Sequence, residues 1–284
     1  MPPLAFTRSG TGPPLVLLHA LGLSRRVWDP VLPALAARFD VIAVDLPGFG
    51  DSAPLNEQAM EKQSEVSPTE LAQSVADLLD GLGISLPHLA GNSLGGWVAL
   101  ELAELRPVAS VTLLSPAGLW RRNTPLYDRI SLRASRWLAQ HAAGTLSRLV
   151  RYRLGRVLVL GQTHGRPMRL TAEYARAAVE ALGRSPGYDA ALAGTTRRRI
   201  AATGLTGVPV TVAFGSRDLL LRRAARRVDQ LPPQTQAEAL PGCGHVPMAD
   251  DPAAVAALIT RAAAAVTQSE WPTTSPRSSS PPAA

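Results

Sequence analysis

The chain has 284 residues, 46% hydrophobic and 18% charged, so it holds enough apolar sequence for one large domain or a domain with an insert, and is not disordered as a whole. Its one cysteine, Cys243, excludes an intramolecular disulfide and fits a reducing compartment, so a cytoplasmic location is expected. The net charge of +7 is local: residues 120–200 hold 16 arginines and no lysine against Asp128, Glu173, Glu180 and Asp189, a balance of 16 − 4 = +12 that leaves −5 elsewhere. That basic region carries no nucleic-acid motif and no interleaved aromatics, so no nucleic-acid partner is expected. The first twelve residues lack a basic segment followed by an apolar core, and the run at 15–18 is too short for one. Neither a signal peptide nor an integral membrane segment is predicted.

In chain order, residues 15–18 and 41–44 are short apolar runs that read as strands. Between them Val27, Val31, Leu32 and Leu35 fall at helical spacing, with Pro30 and Pro33 in the early turns. Ser67-Pro68-Thr69-Glu70 opens a helix: Ser67 caps it, Pro68 suits the first helical position and Glu70 completes a capping box. Gly81 and Gly83 stop that helix near Leu82. A strand at 88–90, a helix at 94–105 and a strand at 108–114 follow. After Ser115 the rhythm changes, and 120–203 reads as helical, with 157–160 as the one candidate strand. Strand signal returns at 208–214, followed by a helix at 221–231, a strand at 235–240 and a helix from Asp251 to about 266. Asp250 and Asp251 read as caps of that last helix. Strands alternating with helices argue an α/β fold with a parallel sheet covered on both faces. The expected organisation is a core of 1–115 and 207–267, a helical cap over 116–206, and a Ser/Pro/Thr-rich disordered tail at 268–284.

Three features fall at strand ends, where ligands bind in open α/β sheets. Gly91-Asn92-Ser93-Leu94-Gly95, followed by Gly96, matches the Gly-x-Ser-x-Gly nucleophile elbow in its required context of strand, sharp turn and helix. The glycines are needed because the serine takes a strained backbone conformation that larger neighbours would obstruct. A serine hydroxyl needs a base, and the base needs an orienting acid. Of five histidines, His245 lies on a Gly/Pro-rich loop between the last strand and last helix, from which it can reach an elbow. Asp218 follows the strand at 208–214 through Gly215-Ser216-Arg217 and is the candidate acid. Leu94, after the serine, and Leu21, in His19-Ala20-Leu21-Gly22, are the candidate oxyanion amides. His19 itself reads as a structural loop histidine, and Cys243 as a small packed residue.

Together with Val44-Asp-Leu-Pro-Gly-Phe-Gly-Asp-Ser52, these motifs resemble the α/β-hydrolase superfamily over residues 4–265. The resemblance implies a mostly parallel, eight-stranded sheet under a helical cap, with Ser93, Asp218 and His245 as triad and Leu21 and Leu94 as oxyanion hole. It also implies that Asp45–Ser52 supports the site without reacting. Ala20 replaces the usual glycine of the oxyanion strand. The leading expectation is a serine hydrolase of small to medium carboxylic esters. Asn92 beside Ser93 is also similar to carbon–carbon hydrolases of ring-cleavage acids, whose carboxylates an arginine-rich insert could bind, and a non-catalytic ligand receptor is the third reading. Asn92, Trp120 and Arg121 are the candidate substrate contacts; Arg122 and Arg129 also follow the strand that ends at Ser115. Arg129, Arg133 and Arg136 are expected on a solvated helical face, with Leu126, Ile130 and Trp137 sharing another. No cofactor and no metal are expected, the substrate is a small molecule, and the chain is read as a monomer or homodimer.

Overall fold

The computed structural model describes residues 3–55, 65–200 and 204–265. Seven strands form one sheet: β1 Phe6–Ser9, β2 Pro14–Leu18, β3 Asp40–Val44, β4 His88–Asn92, β5 Ser110–Leu114, β6 Val210–Gly215 and β7 Gln236–Leu240. Their order is β1-β3-β2-β4-β5-β6-β7, with β1 antiparallel to β3 and all other pairs parallel. The described residues thus supply one strand fewer than the eight that the resemblance implied. β1 runs into β2 through only Gly10–Pro13, which leaves no chain for another strand between them. The motif-poor β1 gives no apolar signal because all four of its side chains are exposed.

The interior strands are near-continuous apolar runs because the sheet is buried on both sides. Alternate residues divide between two cores. Val16, Leu18, Ile42, Val44, Val111 and Leu113 pack with α2 (Pro68–Gly81) and α3 (Leu94–Leu105). Leu15, Leu17, Val41, Ala43, Leu114 and Ala213 pack with α1 (Leu32–Ala36) and α9 (Pro252–Ala264). The α2 start has the expected capping box: Ser67 Oγ accepts from the Glu70 amide and Glu70 Oε2 accepts from the Ser67 amide. Pro30 divides the helical pattern at 27–39 into a 3₁₀ turn, Arg25–Trp28, and the short α1.

Between β5 and β6 lie α4 (Leu126–His141), α5 (Ala143–Leu149), α6 (Arg153–Leu160), α7 (Ala172–Arg184) and α8 (Tyr188–Thr196), with no strand among the described residues. The candidate strand at 157–160 is the end of α6. The helix expected at 221–231 is instead two 3₁₀ turns, Arg223–Ala225 and Val228–Gln230. There the Arg226 side chain takes the carbonyls of Leu221 and Asp218 at 2.7 and 3.1 Å, the first of which a helix would have used internally. The tail at 268–284 lies outside the described residues.

Candidate active site

Ser93 sits between β4 and α3 with φ 55° and ψ −114°. This left-handed backbone costs a non-glycine residue about 1–3 kcal/mol. It persists because the chain around it is tightly fitted. A Cβ on Gly91 would overlap the Gly95 carbonyl, and one on Gly95 would overlap the Leu18 carbonyl. Ser93 is thereby lifted to the floor of a cavity of about 500 Å³, which His245 and Asp128 also line.

His245 Nδ1 lies 3.0 Å from Asp218 Oδ2. A carboxylate can only accept, so Nδ1 carries the proton and Nε2 presents a lone pair. That Nε2 is buried without a hydrogen-bond partner, and no hydrogen bond joins it to Ser93. The other carboxylate oxygen of Asp218 accepts the Leu220 and Leu221 amides at 3.0 and 2.9 Å. Burial alone would raise the Asp218 carboxyl, but the charge and hydrogen bond of His245, the Leu221 amide and Arg226 outweigh it and hold it below the usual carboxylate range.

Leu21 and Leu94 both line the cavity. Neither amide is used by a loop or turn carbonyl among the described residues. The loop that carries Leu21 is fixed by His19, whose Nδ1 donates to the Ala20 carbonyl at 2.8 Å and whose Nε2 accepts the Leu46 amide at 3.0 Å. Both ring nitrogens are occupied and burial lowers its pKa, so His19 is a neutral strut. Asp45 braces the same region: it accepts the Arg25 amide at 2.6 Å and the Asp51 amide at 2.9 Å, and pairs with the Arg25 guanidinium.

The candidate substrate contacts separate. Trp120 lines the cavity and anchors itself by donating from Nε1 to the Arg198 carbonyl at 2.7 Å. Asn92 does not reach the cavity. It is fully buried, and its Nδ2 donates to the carbonyls of Leu114 and His245 at 2.9 and 2.8 Å. Arg121 is exposed and absent from the cavity wall, as is Arg122. The structure thus places Asn92 as a tie between strands and a loop, and Arg121 at the surface outside the cavity.

Three further residues carry weight that local sequence does not reveal. Asp128 on α4 is only 2% exposed, with Oδ2 buried and unpartnered. Burial pushes its carboxyl up to about 6, with His245 and Arg222 opposing and Asp218 adding to the rise. His164 also lines the cavity. Burial pushes it down to about 4, and its nitrogens meet Thr163 Oγ1 and Tyr174 OH at 3.0 and 3.2 Å. Asp250 is not a helix cap, a role that Asp251 fills through the Ala254 amide. Asp250 accepts the amides of Gly165, Arg166 and Gly244 at 2.7, 2.8 and 2.7 Å, fastening the His245 loop to the chain after α6. Cys243 is packed in the core, and burial pushes its thiol up to about 11, so it stays protonated.

Sheet order, elbow and the convergence of loops on one cavity define an enzyme of the α/β-hydrolase type. The model of the alpha/beta hydrolase family matches residues 15–258, and the chain belongs to that family. Pimeloyl-[acyl-carrier protein] methyl ester esterase of Photobacterium profundum is 28% identical over 267 residues, covering 88% of this chain and 94% of that one. The dihydrolipoyllysine-residue acetyltransferase component of the acetoin cleaving system of Pseudomonas putida is 46% identical over 110 residues, which span 38% of this chain and only 28% of that protein. Among solved structures, a thermophilic esterase from Thermogutta terrifontis superposes with a TM-score of 0.72 at 23% identity, covering 93% of each chain. No helix of the described residues is long and apolar enough to cross a membrane.

Proposed function

We propose that the chain hydrolyses carboxylic esters with Ser93 as nucleophile, His245 as base and Asp218 as orienting acid. The observation that carries this reading is the 3.0 Å Nδ1–Oδ2 contact, which leaves His245 Nε2 unpartnered in the cavity that Ser93 also lines. Ser93 Oγ adds to the ester carbonyl as its proton passes to His245 Nε2. The carbonyl oxygen becomes an oxyanion facing the Leu21 and Leu94 amides, each worth about 3 kcal/mol to the transition state. Collapse expels the alcohol, which takes the proton from His245. Water then repeats the sequence on the acyl-enzyme and releases the acid. Asp218 stabilises the imidazolium throughout.

The cavity wall favours an apolar acyl group, since leucines and alanines dominate it. The carbon–carbon reading calls for a cation to hold the substrate carboxylate. No arginine or lysine lines the cavity among the described residues, and Asp128 stands there instead. The ester reading is tested by turnover of a series of p-nitrophenyl esters by the wild type and by Ser93→Ala. A loss of at least about 10³-fold is expected in the variant. Unchanged turnover would sink the assignment. Failure of a fluorophosphonate probe to label Ser93 would favour a ligand receptor instead.

A further inference from the structure

The stretch from α4 to α6 has an outer surface that an isolated water-facing helical layer would not carry. On α4, Asp128, Leu132, Ser135 and Ala139 line the cavity. At 3.6 residues per turn the opposite side of the helix carries Leu126, Ile130 and Trp137. These are 66%, 59% and 58% exposed. A helix that only roofed the cavity would turn polar residues outward. The apolar exposure continues through Tyr152 and Leu154 of the next two helices and their link, Leu154 being 78% exposed. Leu138, Leu149 and Leu158 are exposed and also line the cavity, so they form its rim. The exposed apolar side chains of this stretch thus include those at the way into the site.

The charge on the same stretch is one-sided. Residues 126–161 contain seven arginines and one acid, Asp128, which is buried inside. Arg136 and Arg156 are buried and bound to backbone carbonyls: Leu182 and Ser185 for the first, Val150 and Arg151 for the second. Arg133, Arg148, Arg151 and Arg153 are exposed, and none has an ion-pair partner among the described residues.

We propose that the outer surface of α4–α6 docks peripherally on an anionic phospholipid surface, with Ile130, Trp137 and Leu154 entering the headgroup boundary and the unpaired arginines meeting lipid phosphates. Exposed apolar and aromatic side chains interleaved with arginine are the composition of an interfacial surface, and four unpaired cations supply the attraction to anionic headgroups. The cavity rim then opens toward the lipid, so an apolar substrate reaches Ser93 without crossing water. The docking itself does not depend on the hydrolase reading, because binding is measured without turnover.

The test is co-sedimentation of the full chain with vesicles containing phosphatidylglycerol and with vesicles of phosphatidylcholine alone, at low and high salt. Partitioning at least about tenfold stronger to the anionic vesicles is expected, falling as salt rises. Two surface variants bracket the contribution of each part. Ile130→Ser/Trp137→Ser/Leu154→Ser removes the apolar contact, and Arg151→Glu/Arg153→Glu reverses the charge. Each is expected to weaken anionic binding at least about fivefold while circular dichroism and soluble-ester turnover stay as in the wild type. Equal partitioning to both vesicle types, or binding indifferent to both variants, would overturn the proposal. A dimer that the apolar variant dissociates, with no vesicle binding, would assign the face to a second copy and overturn it too.

Discussion

Asp128 holds a carboxyl whose Oδ2 is buried without a hydrogen-bond partner. Its raised carboxyl has a direct consequence for stability. A carboxyl with a folded value of about 6, above its ordinary 3.8, binds its proton more tightly in the native state. Native stability is then greatest while both states are protonated, and declines as pH rises from about 4 through 6. Asparagine cannot ionise and removes that decline. Asp128→Asn is expected to be more stable than wild type by about 1–2 kcal/mol at pH 8 and to show no advantage at pH 4. Urea unfolding at the two pH values measures the difference; a variant no more stable at pH 8 would contradict the account. Nothing local marks Asp128 in the sequence. It is one acid among many arginines, and its meaning comes from His245 and Asp218, which lie 117 and 90 residues on.

At the scale of elements, the α4 amphipathic pattern was legible but its orientation was not. Arg129, Arg133 and Arg136 are expected together on a solvated face, with Leu126, Ile130 and Trp137 on another; this holds for the exposed Arg133 but not for Arg136. Instead Arg136 turns in, toward the carbonyls at the end of α7 and over the Tyr188 ring, and the three apolar residues turn out. Periodicity gives the angle between two faces of a helix. It does not say which one the neighbouring helices cover when carbonyls at a helix end can solvate a guanidinium. Asp250 gives a parallel case, because an Asp-Asp-Pro sequence looks like capping, whereas the bonds of Asp250 reach Gly165 and Arg166 across the fold. Asp250→Ala leaves three amides without their acceptor. It is expected to cost about 3 kcal/mol and to reduce ester turnover by loosening the His245 loop. Calorimetry and kcat check both, and a variant with wild-type stability would show that water substitutes for the carboxylate.

Across the whole molecule, the strands in the middle of the sheet were easiest to read because both their faces are buried, which leaves uninterrupted Val, Leu and Ile. β1 has no such face, and the resemblance counted a strand that the described residues lack. The elbow was readable for a different reason: its glycines are demanded by backbone overlap rather than by composition. Burial also separates two leucines of equal size. Leu17→Ala, in the core between sheet and α9, is expected to destabilise by about 2–5 kcal/mol. Leu126→Ala, on the outer face of α4, is expected to stay within about 0.5 kcal/mol. Equal effects in urea titration would show that Leu126 is covered in solution. Finally, Asn92 joins the strand before Ser93 to the backbone of His245 itself. Ser93 and His245 are therefore tied through this amide as well as through the Asp250 bonds that hold the His245 loop. Heating should not let the two drift gradually apart; activity should hold nearly level and then vanish together with the sheet.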